Sequence, residues 1–286
     1  MSSRVLVCPP DDALLSRLSG HGLILRCEDP RSLADVVEQA RRPEVELSCI
    51  LLRSRAPLAC LRLDPGWRLL PLAVHVPGAG SLREVLAMVP ELRQFKLKLF
   101  LPAERQENLS AVRILASLGI DSGLTMPEAG ADWESLADLM TYALLGMIPH
   151  APIEPFAFIA DHYAPNSTLD FGAVWFEDPS RYLHLDAEGR IALSAGECER
   201  GEFAGHVDRL DELETSAAYQ ERSSATDRHF LSEEGCAYCP GWRVCLGKFA
   251  GEANNGRRCA AFFEELMEVV EEHLRLHAGG EEPWRL

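Results

Sequence analysis

The sequence predicts an α/β fold for its first half and a smaller, mixed α+β region after it. Three observations lead to this prediction. Short apolar runs alternate with segments of helical spacing up to about residue 150, three prolines then crowd residues 149–155, and the β-prone runs beyond them are short neighbours of one another. Strands separated by helices imply parallel βα units. About six such units would form an open, partial barrel or a doubly wound sheet, and periodicity does not distinguish the two.

Six β-prone runs supply the strands of the predicted βα units. They are residues 4–8, 22–27, 47–52, 71–76, 97–101 and 119–126. Four apolar residues between the fifth and sixth runs fall on one face of a helical period, which predicts a helix there. They are Leu109, Val112, Leu115 and Ala116. A further helix is predicted for residues 133–145.

The prolines restrict the backbone between residues 149 and 155, so we place a domain boundary near residue 150. The predicted domains are a βα domain over residues 1–150 and a smaller domain over residues 151–286. The elements predicted for the second domain are strands at 171–176, 181–185 and 191–193 with a turn at Gly189, a short helix at 208–219, a loop-like segment at 232–258 and a closing helix at 260–277.

The chain carries an excess of acidic residues. Its 286 residues include 44 Asp and Glu against 28 Lys and Arg, so its net charge is −16. Because phosphate binding needs clustered cations, this charge disfavours nucleic acid and anionic membrane surfaces as partners, whereas a basic peptide would be attracted. Neither a secretory signal nor an apolar run of membrane-spanning length is visible. The sequence therefore predicts a cytoplasmic protein whose nine cysteines are thiols or metal ligands.

Four cysteines near the end of the sequence have the spacing C-x2-C-x5-C-x13-C. They are Cys236, Cys239, Cys245 and Cys259. Two cysteines separated by two residues can bind one metal centre, because the turn between them directs both sulfurs to the same side. Four thiolates suit a [4Fe-4S] cluster or a tetrahedral zinc ion. Structural zinc sites usually show two C-x2-C pairs and this segment has one, so the spacing favours iron–sulfur and leaves zinc as the alternative.

The same four cysteines resemble the C-terminal SPASM domain of peptide-modifying radical SAM enzymes. That family carries two auxiliary [4Fe-4S] clusters, and its second cluster uses a C-x2-C-x5-C run and a last cysteine. These are the positions of Cys236, Cys239, Cys245 and Cys259. The resemblance therefore implies one cluster on these residues. The ligands of the first auxiliary cluster are missing, since Phe249 and Ser194 stand where that family has cysteines.

The βα alternation of the first half is similar to that of radical SAM enzymes. The resemblance implies a degenerate partial (βα) barrel of radical-SAM type, followed by a small α+β SPASM-like domain. The C-x3-C-x2-C motif that holds the SAM-binding cluster in that family does not occur in this sequence, so no SAM binding is expected. Taken whole, the chain is similar to the GeoRSP system SPASM domain protein family. That resemblance implies a radical SAM/SPASM maturase as partner, with a precursor peptide or a PqqD-like peptide chaperone.

These observations lead to one preferred function and two rivals. We expect an accessory iron–sulfur protein, non-catalytic or electron-relaying, that assists a radical SAM maturase in peptide modification. One rival is a zinc-stabilised protein-interaction module without a redox role, and the other is an enzyme that uses the mouth of the barrel. No catalytic residue is assigned, because His150, Glu154 and Asp161 are interpreted as surface or linker polar groups. Tyr182 and His184 share one face of a predicted strand, where they would line a groove or face solvent.

Overall fold

A ten-stranded sheet organises the chain. The structure is a computed structural model that describes residues 4–58, 61–80, 82–126, 132–232, 234–249 and 257–277. Its strands are β1 (Val5–Cys8), β2 (Gly22–Cys27), β3 (Glu46–Arg53), β4 (Leu72–His75), β5 (Leu97–Pro102), β6 (Asp121–Thr125), β7 (Ile153–Glu154), β8 (Tyr182–Leu185), β9 (Arg190–Ala192) and β10 (Gly205–His206). Its helices are α1 (Asp12–Arg17), α2 (Leu33–Ala40), α3 (Leu82–Leu92), α4 (Gln106–Ser117), α5 (Trp133–Leu145), α6 (Phe156–His162), α7 (Ala195–Arg200), α8 (Ala217–Ser232), α9 (Glu234–Ala237), α10 (Trp242–Cys245) and α11 (Arg257–His277).

The first seven strands lie side by side in chain order, and every pair along this row is parallel. Strand β8 extends the sheet on the other side by pairing parallel to β1, and β9 and β10 follow as antiparallel additions. Each βα crossover therefore steps in the same direction. Because such crossovers are right-handed, the helices between consecutive strands lie on one face of the sheet. The predicted α/β class is confirmed.

The two faces of the sheet bury different sets of residues. The helix-covered face carries the main core, which includes Leu109 and Val112 of the predicted helical stripe. The opposite face, called the inner face below, carries a small cluster with one residue from each of the first five strands. These residues are Val7, Ile24, Leu51, Ala73 and Phe100. The segment 171–176 packs on this cluster and covers part of the inner face.

All six strands predicted for the first half are present, with ends shifted by two residues at most. The run at residues 22–27 is reproduced without a shift as β2. The short strands predicted at 181–185 and 191–193 are present as the antiparallel pair β8 and β9, and Gly189 in the turn between them has φ +85°. The structure adds β7 and β10, which sequence reasoning missed because each is only two residues long.

The prediction of a strand at residues 171–176 is wrong. These residues form the 3-10 helix Phe171–Trp175, because the Asp170 carboxylate accepts the N–H of Gly172 at its start and Phe176 ends it with φ +63°. A side-chain cap of this kind competes with extended structure, whatever the β propensity of the apolar residues that follow.

Two predictions for the last part of the chain also need correction. The helix predicted at 208–219 is instead the 3-10 helix Val207–Thr215, and α8 begins after it. The closing helix begins at Arg257 and not at residue 260, so Cys259 lies inside its first turn. The loop-like segment at 232–258 contains the short helices α9 and α10.

Strands from both sides of residue 150 belong to the same sheet. Strand β7 pairs with β6, and β8 pairs with β1. The predicted boundary therefore does not separate two sheets. The division into domains at 1–150 and 151–286 remains a prediction, and residues 250–256 and 278–286 of the second domain lie outside the described residues.

Candidate metal centre

Three helices near the end of the chain and the turn after the first of them position the predicted ligands. Cys236 lies in α9, Cys239 follows that helix, and Cys245 is the last residue of α10. Cys259 lies in the first turn of α11, a long helix that packs against α5. The residues 234–249, called the cysteine segment below, thus carry three of the four cysteines, and the terminal helix carries the fourth.

The C-x2-C turn is held by backbone hydrogen bonds. The N–H of Cys239 donates to the carbonyl of Cys236 at 3.1 Å, and the N–H of Trp242 donates to the carbonyl of Cys239 at 3.1 Å. Gly241 lies directly against α11, because a Cβ on this residue would be 2.1 Å from the Cβ of Phe263. Only glycine permits this approach, so the sequence allows the turn to touch the helix that supplies the last ligand.

Cys245 is buried beside a left-handed turn. Gly247 has φ +80°, and the N–H groups of Gly247 and Phe249 donate to the Cys245 thiol. The pKa of Cys245 is raised to about 11, chiefly by burial. These N–H groups oppose the rise, and the charges of Cys259 and Cys236 add to it. Donors that favour the charged form of a thiol are the surroundings that a metal-bound thiolate needs.

The negative charge that forms when one of these cysteines ionises affects the pKa of its neighbours. Burial raises the pKa of Cys259, the charge of Cys239 raises it further, and the N–H groups of Cys259 and Ala260 lower it. Since Cys245 responds to Cys259 and Cys236 in the same way, these interactions join all four cysteines. No group of three or more His, Cys, Asp or Glu side chains among the described residues forms a ready metal shell. The convergence of the four sulfurs on one point therefore remains a prediction.

Aromatic side chains cover the cysteine segment on the side of α8. The Nε2 atom of His229 lies 3.5 Å from the Sγ of Cys236, and its ring stacks on that of Trp242 with 5.8 Å between centroids. Phe230 contacts the same indole, with 4.9 Å between ring centroids. These rings cover one side of Cys236, which is half-buried.

Phe249 fixes the cysteine segment to the body of the fold. Its side chain is 3% exposed. Its ring centroid lies 5.7 Å from those of Phe263 and Phe171 and 5.8 Å from that of Trp133. Trp133 belongs to α5, and Phe171 belongs to the 3-10 helix on the inner face. The cysteine segment therefore shares the main core and does not form a core of its own.

Other cysteines are placed as ordinary packing residues or thiols. Cys8 and Cys27 are buried at the ends of β1 and β2, where a cysteine packs as a small apolar residue. The Sγ of Cys198 in α7 lies 3.9 Å from a guanidinium nitrogen of Arg26. This position at the carboxyl end of β2 gives Cys198 surroundings unlike those of the cysteine segment.

Sequence reasoning missed a polar group on the inner face. Glu154, interpreted as a surface or linker residue, is 7% exposed and lies 2.5 Å from the ammonium of Lys98, so that interpretation is wrong. Lys98 is a charged residue in the otherwise apolar strand β5, and this pattern could have indicated a buried acidic partner. Tyr182 lines a cavity near this pair, and His184 is fully buried, so neither residue simply faces solvent.

Comparison of the chain with protein-family models, with curated proteins and with solved structures finds no match. The described ranges contain no helix that is both long enough and apolar enough to cross a membrane. The site itself and the resemblance of the cysteine spacing are therefore what indicate a function for this chain.

Proposed function

We propose that this chain is a cytoplasmic accessory iron–sulfur protein that assists a radical SAM/SPASM maturase in peptide modification. One [4Fe-4S] cluster would be held by four thiolates, the ligands that such clusters require. They are Cys236, Cys239, Cys245 and Cys259. The observation that carries the proposal is their placement: three of them lie in the cysteine segment and the fourth lies in the first turn of α11, against which Gly241 of that segment packs.

The protein groups around these cysteines have distinct tasks in the proposed site. The N–H groups of Gly247 and Phe249 would stabilise negative charge on the sulfur of Cys245. Hydrogen bonds to ligand sulfurs and exclusion of solvent are the means by which a protein sets a cluster's reduction potential. The rings of Phe249 and Trp242 would exclude water. The cluster, when bound, would supply a one-electron redox centre or a structural anchor.

The strand order supports a partial barrel of radical-SAM type as the finer description of the first half. Seven parallel strands in chain order, with their helices on one face, are the arrangement from which a (βα) row curves into a barrel. The SPASM-like description of the last part depends on the cysteine spacing alone. In this proposal the chain binds no SAM, because the motif for the SAM-binding cluster does not occur in the sequence.

The charge of the chain supports a basic partner surface. With a net charge of −16 it would attract a basic stretch of the maturase, of a precursor peptide or of a PqqD-like peptide chaperone. Such attraction weakens as salt rises, because the Debye length shortens to about 8 Å at physiological ionic strength. Co-purification of the native complex at low and at high salt tests this part of the proposal.

A zinc-stabilised interaction module without a redox role is the second candidate. The donor set that favours it is the same, because four cysteine thiolates also make a closed tetrahedral zinc site. The two candidates differ in what the purified protein contains. Zinc would give colourless protein with one zinc ion per chain, whereas a cluster would give a brown chromophore with about four iron and four sulfide ions per chain.

The deciding experiment is anaerobic reconstitution followed by measurement of iron, sulfide and zinc. Cys239→Ser should lose most of the bound metal, since it removes one of the four ligands. Cys198→Ser is the matched control, because this thiol lies beside Arg26 and should leave the metal content unchanged. Full iron and sulfide content in Cys239→Ser would contradict the assignment, and so would a parent protein that takes up neither iron nor zinc.

A further inference from the structure

The inner face of the sheet holds a cavity of about 700 Å³ that the cysteine segment does not line. Its mouth lies at the amino ends of the strands, where Pro71, Lys96 and Ile120 precede β4, β5 and β6. Residues of segment 171–176 lie across the inner face on the other side of the cavity. The indole N–H of Trp175 donates to the carbonyl of Leu124 in β6 at 2.9 Å and so attaches this segment to the sheet.

The interior of the cavity is mostly apolar. Its wall includes the inner-face residues Ile24, Ala73 and Phe100, and the ring of Phe176 packs edge-on against Tyr182 with 5.3 Å between centroids. The volume lies within the range of about 300–1,000 Å³ that is usual for small-molecule sites. A ligand that fills this space would therefore place an apolar or aromatic body against the sheet.

One charged pair inside the cavity, Glu154 and Lys98, already has its partners within the protein. The carboxylate of Glu154 lies 2.5 Å from the ammonium of Lys98, and its second oxygen accepts the N–H of Phe158 at 3.0 Å. The pair contributes no net charge to the cavity. It is a fixed dipole on one wall, and the charge that a ligand meets on entry is set by the residues of the mouth.

The mouth carries more positive than negative charge. Arg93 and Lys96 line it and are exposed, and in the part of the chain that the structure describes neither has a carboxylate within ion-pair distance. The guanidinium of Arg93 is held in place by a hydrogen bond from its Nε to the carbonyl of Leu118. Among the described residues that line the mouth, Asp121 supplies the carboxylate beside them, so these three side chains sum to +1 on a chain whose total is −16.

We propose that this cavity binds an amphipathic organic anion. The apolar body of the ligand lies against Ala73 and Phe100, and its acidic head group lies at the mouth between Arg93 and Lys96. An amphipathic amine is disfavoured, because its head group would meet the two cations Arg93 and Lys96 and, among the described residues of the mouth, the carboxylate of Asp121 alone. The site is separate from the cysteine segment and does not depend on the proposed metal.

Fluorescence titration of the full-length chain with 1-anilinonaphthalene-8-sulfonate tests the proposal. We expect one bound probe per chain, displaced by decanoate and not by decylamine. N-phenyl-1-naphthylamine, which has the same rings without the sulfonate, separates the contribution of the head group from that of the body. Its affinity should not change when the charges at the mouth are altered.

Three variants assign the binding to this cavity. Ala73→Phe fills the wall and should weaken binding of both probes about tenfold or more, a loss of about 1.4 kcal/mol. The double variant Arg93→Gln, Lys96→Gln removes two exposed charges and the hydrogen bond from Arg93 to Leu118, all of them outside the core, so it should keep the fold. It should weaken binding of the sulfonate probe several-fold, about threefold per charge. Asp121→Asn should strengthen binding of the sulfonate probe. Arg83→Gln, an exposed charge of α3 away from the mouth, is the matched control and should change nothing.

Each outcome either supports or overturns the proposal that this cavity binds an amphipathic anion. Loss of sulfonate binding in the double variant with intact binding of the uncharged probe supports the proposal. Unchanged sulfonate binding in the double variant overturns it, as does tighter binding of decylamine than of decanoate. A folded Ala73→Phe variant, checked by circular dichroism, that binds both probes like the parent would place the probe outside the cavity and overturn the assignment as well.

Discussion

Replacing Phe249 with Ala tests how the cysteine segment is attached to the rest of the protein. Phe249 is 3% exposed, and its ring packs between Phe263 of α11, Phe171 of the 3-10 helix and Trp133 of α5, all of which belong to the main core. If these contacts hold the segment in place, truncation of this ring should destabilise the whole fold and not only a surface loop.

The expected magnitude follows from the burial and the three ring contacts. Truncation of a fully buried Phe to Ala costs about 3–5 kcal/mol, because it removes apolar contacts and leaves a cavity. A cavity whose walls come from three separate elements cannot collapse easily, so we expect about 4 kcal/mol. For a chain of this size the midpoint of thermal unfolding should fall by roughly 10 °C, at about 2–4 °C per kcal/mol.

Urea unfolding followed by far-UV circular dichroism measures this loss. The matched control is Tyr238→Ala, an aromatic residue of the same segment that is 88% exposed and should change the free energy of unfolding by less than about 0.5 kcal/mol. The slope of the free energy against urea should be equal in parent and variants, which checks that the comparison is between the same two states. If Phe249→Ala costs as little as Tyr238→Ala, the segment is not part of the common core.

Three further changes test other parts of the structure. Burial lowers the pKa of His184 to about 4 from its ordinary 6.5, so the stability present above pH 6.5 should fall by about 3 kcal/mol as the pH drops towards 4. His184→Gln should remove that part of the acid sensitivity in unfolding curves measured across this range. Gly241→Ala would place a methyl group 2.1 Å from the Cβ of Phe263, so it should cost at least about 1–3 kcal/mol and lower the metal bound per chain after reconstitution. Lys98→Met should cost about 1–3 kcal/mol in urea unfolding because it leaves the buried carboxylate of Glu154 without its cation, and adding Glu154→Gln should recover most of the loss.

The strands of the first half could be predicted because each is a short apolar run between polar segments. Four of the six residues of β2 are buried, three of them in a row, and strands of a sheet covered on both sides carry such apolar runs. The pairing of β8 with β1 could not be predicted, since Leu183 meets Leu6 across a long stretch of intervening chain. No local pattern contains that contact. The same limit explains why the boundary near residue 150 appears natural in the sequence and yet does not interrupt the sheet.

The segment 171–176 shows where propensity fails. Its residues are apolar and aromatic, which fits a strand. However, the Asp170 side chain caps the start of a 3-10 helix, and the indole N–H of Trp175 donates a hydrogen bond to the carbonyl of Leu124 in β6. The conformation of this segment therefore depends on one side-chain cap and on a carbonyl that is distant in the sequence. Propensity describes the average surroundings of a residue type and contains neither of these contacts.

The candidate metal centre could be located from spacing, but its surroundings could not. The cysteine spacing identifies the segment, whereas the approach of Gly241 to α11 and the N–H groups around Cys245 arise from tertiary packing. The charged residues of the inner face lie on different strands. Lys98 and Asp121 are neighbours across β5 and β6, and only the register of the sheet brings them to one cavity.

The packing of Phe249 changes what metal binding contributes to this fold. In small zinc domains the metal supplies about 10–16 kcal/mol of folding free energy, because those domains have little core of their own. Here Val244 and Phe249 are buried in the same core as the sheet, and Phe263 of α11 joins them. The aromatic contacts therefore place the cysteine segment against α11 whether or not a metal is bound. It follows that loss of a ligand such as Cys239 should loosen the turn around it while α11 stays attached to α5 through its own buried face.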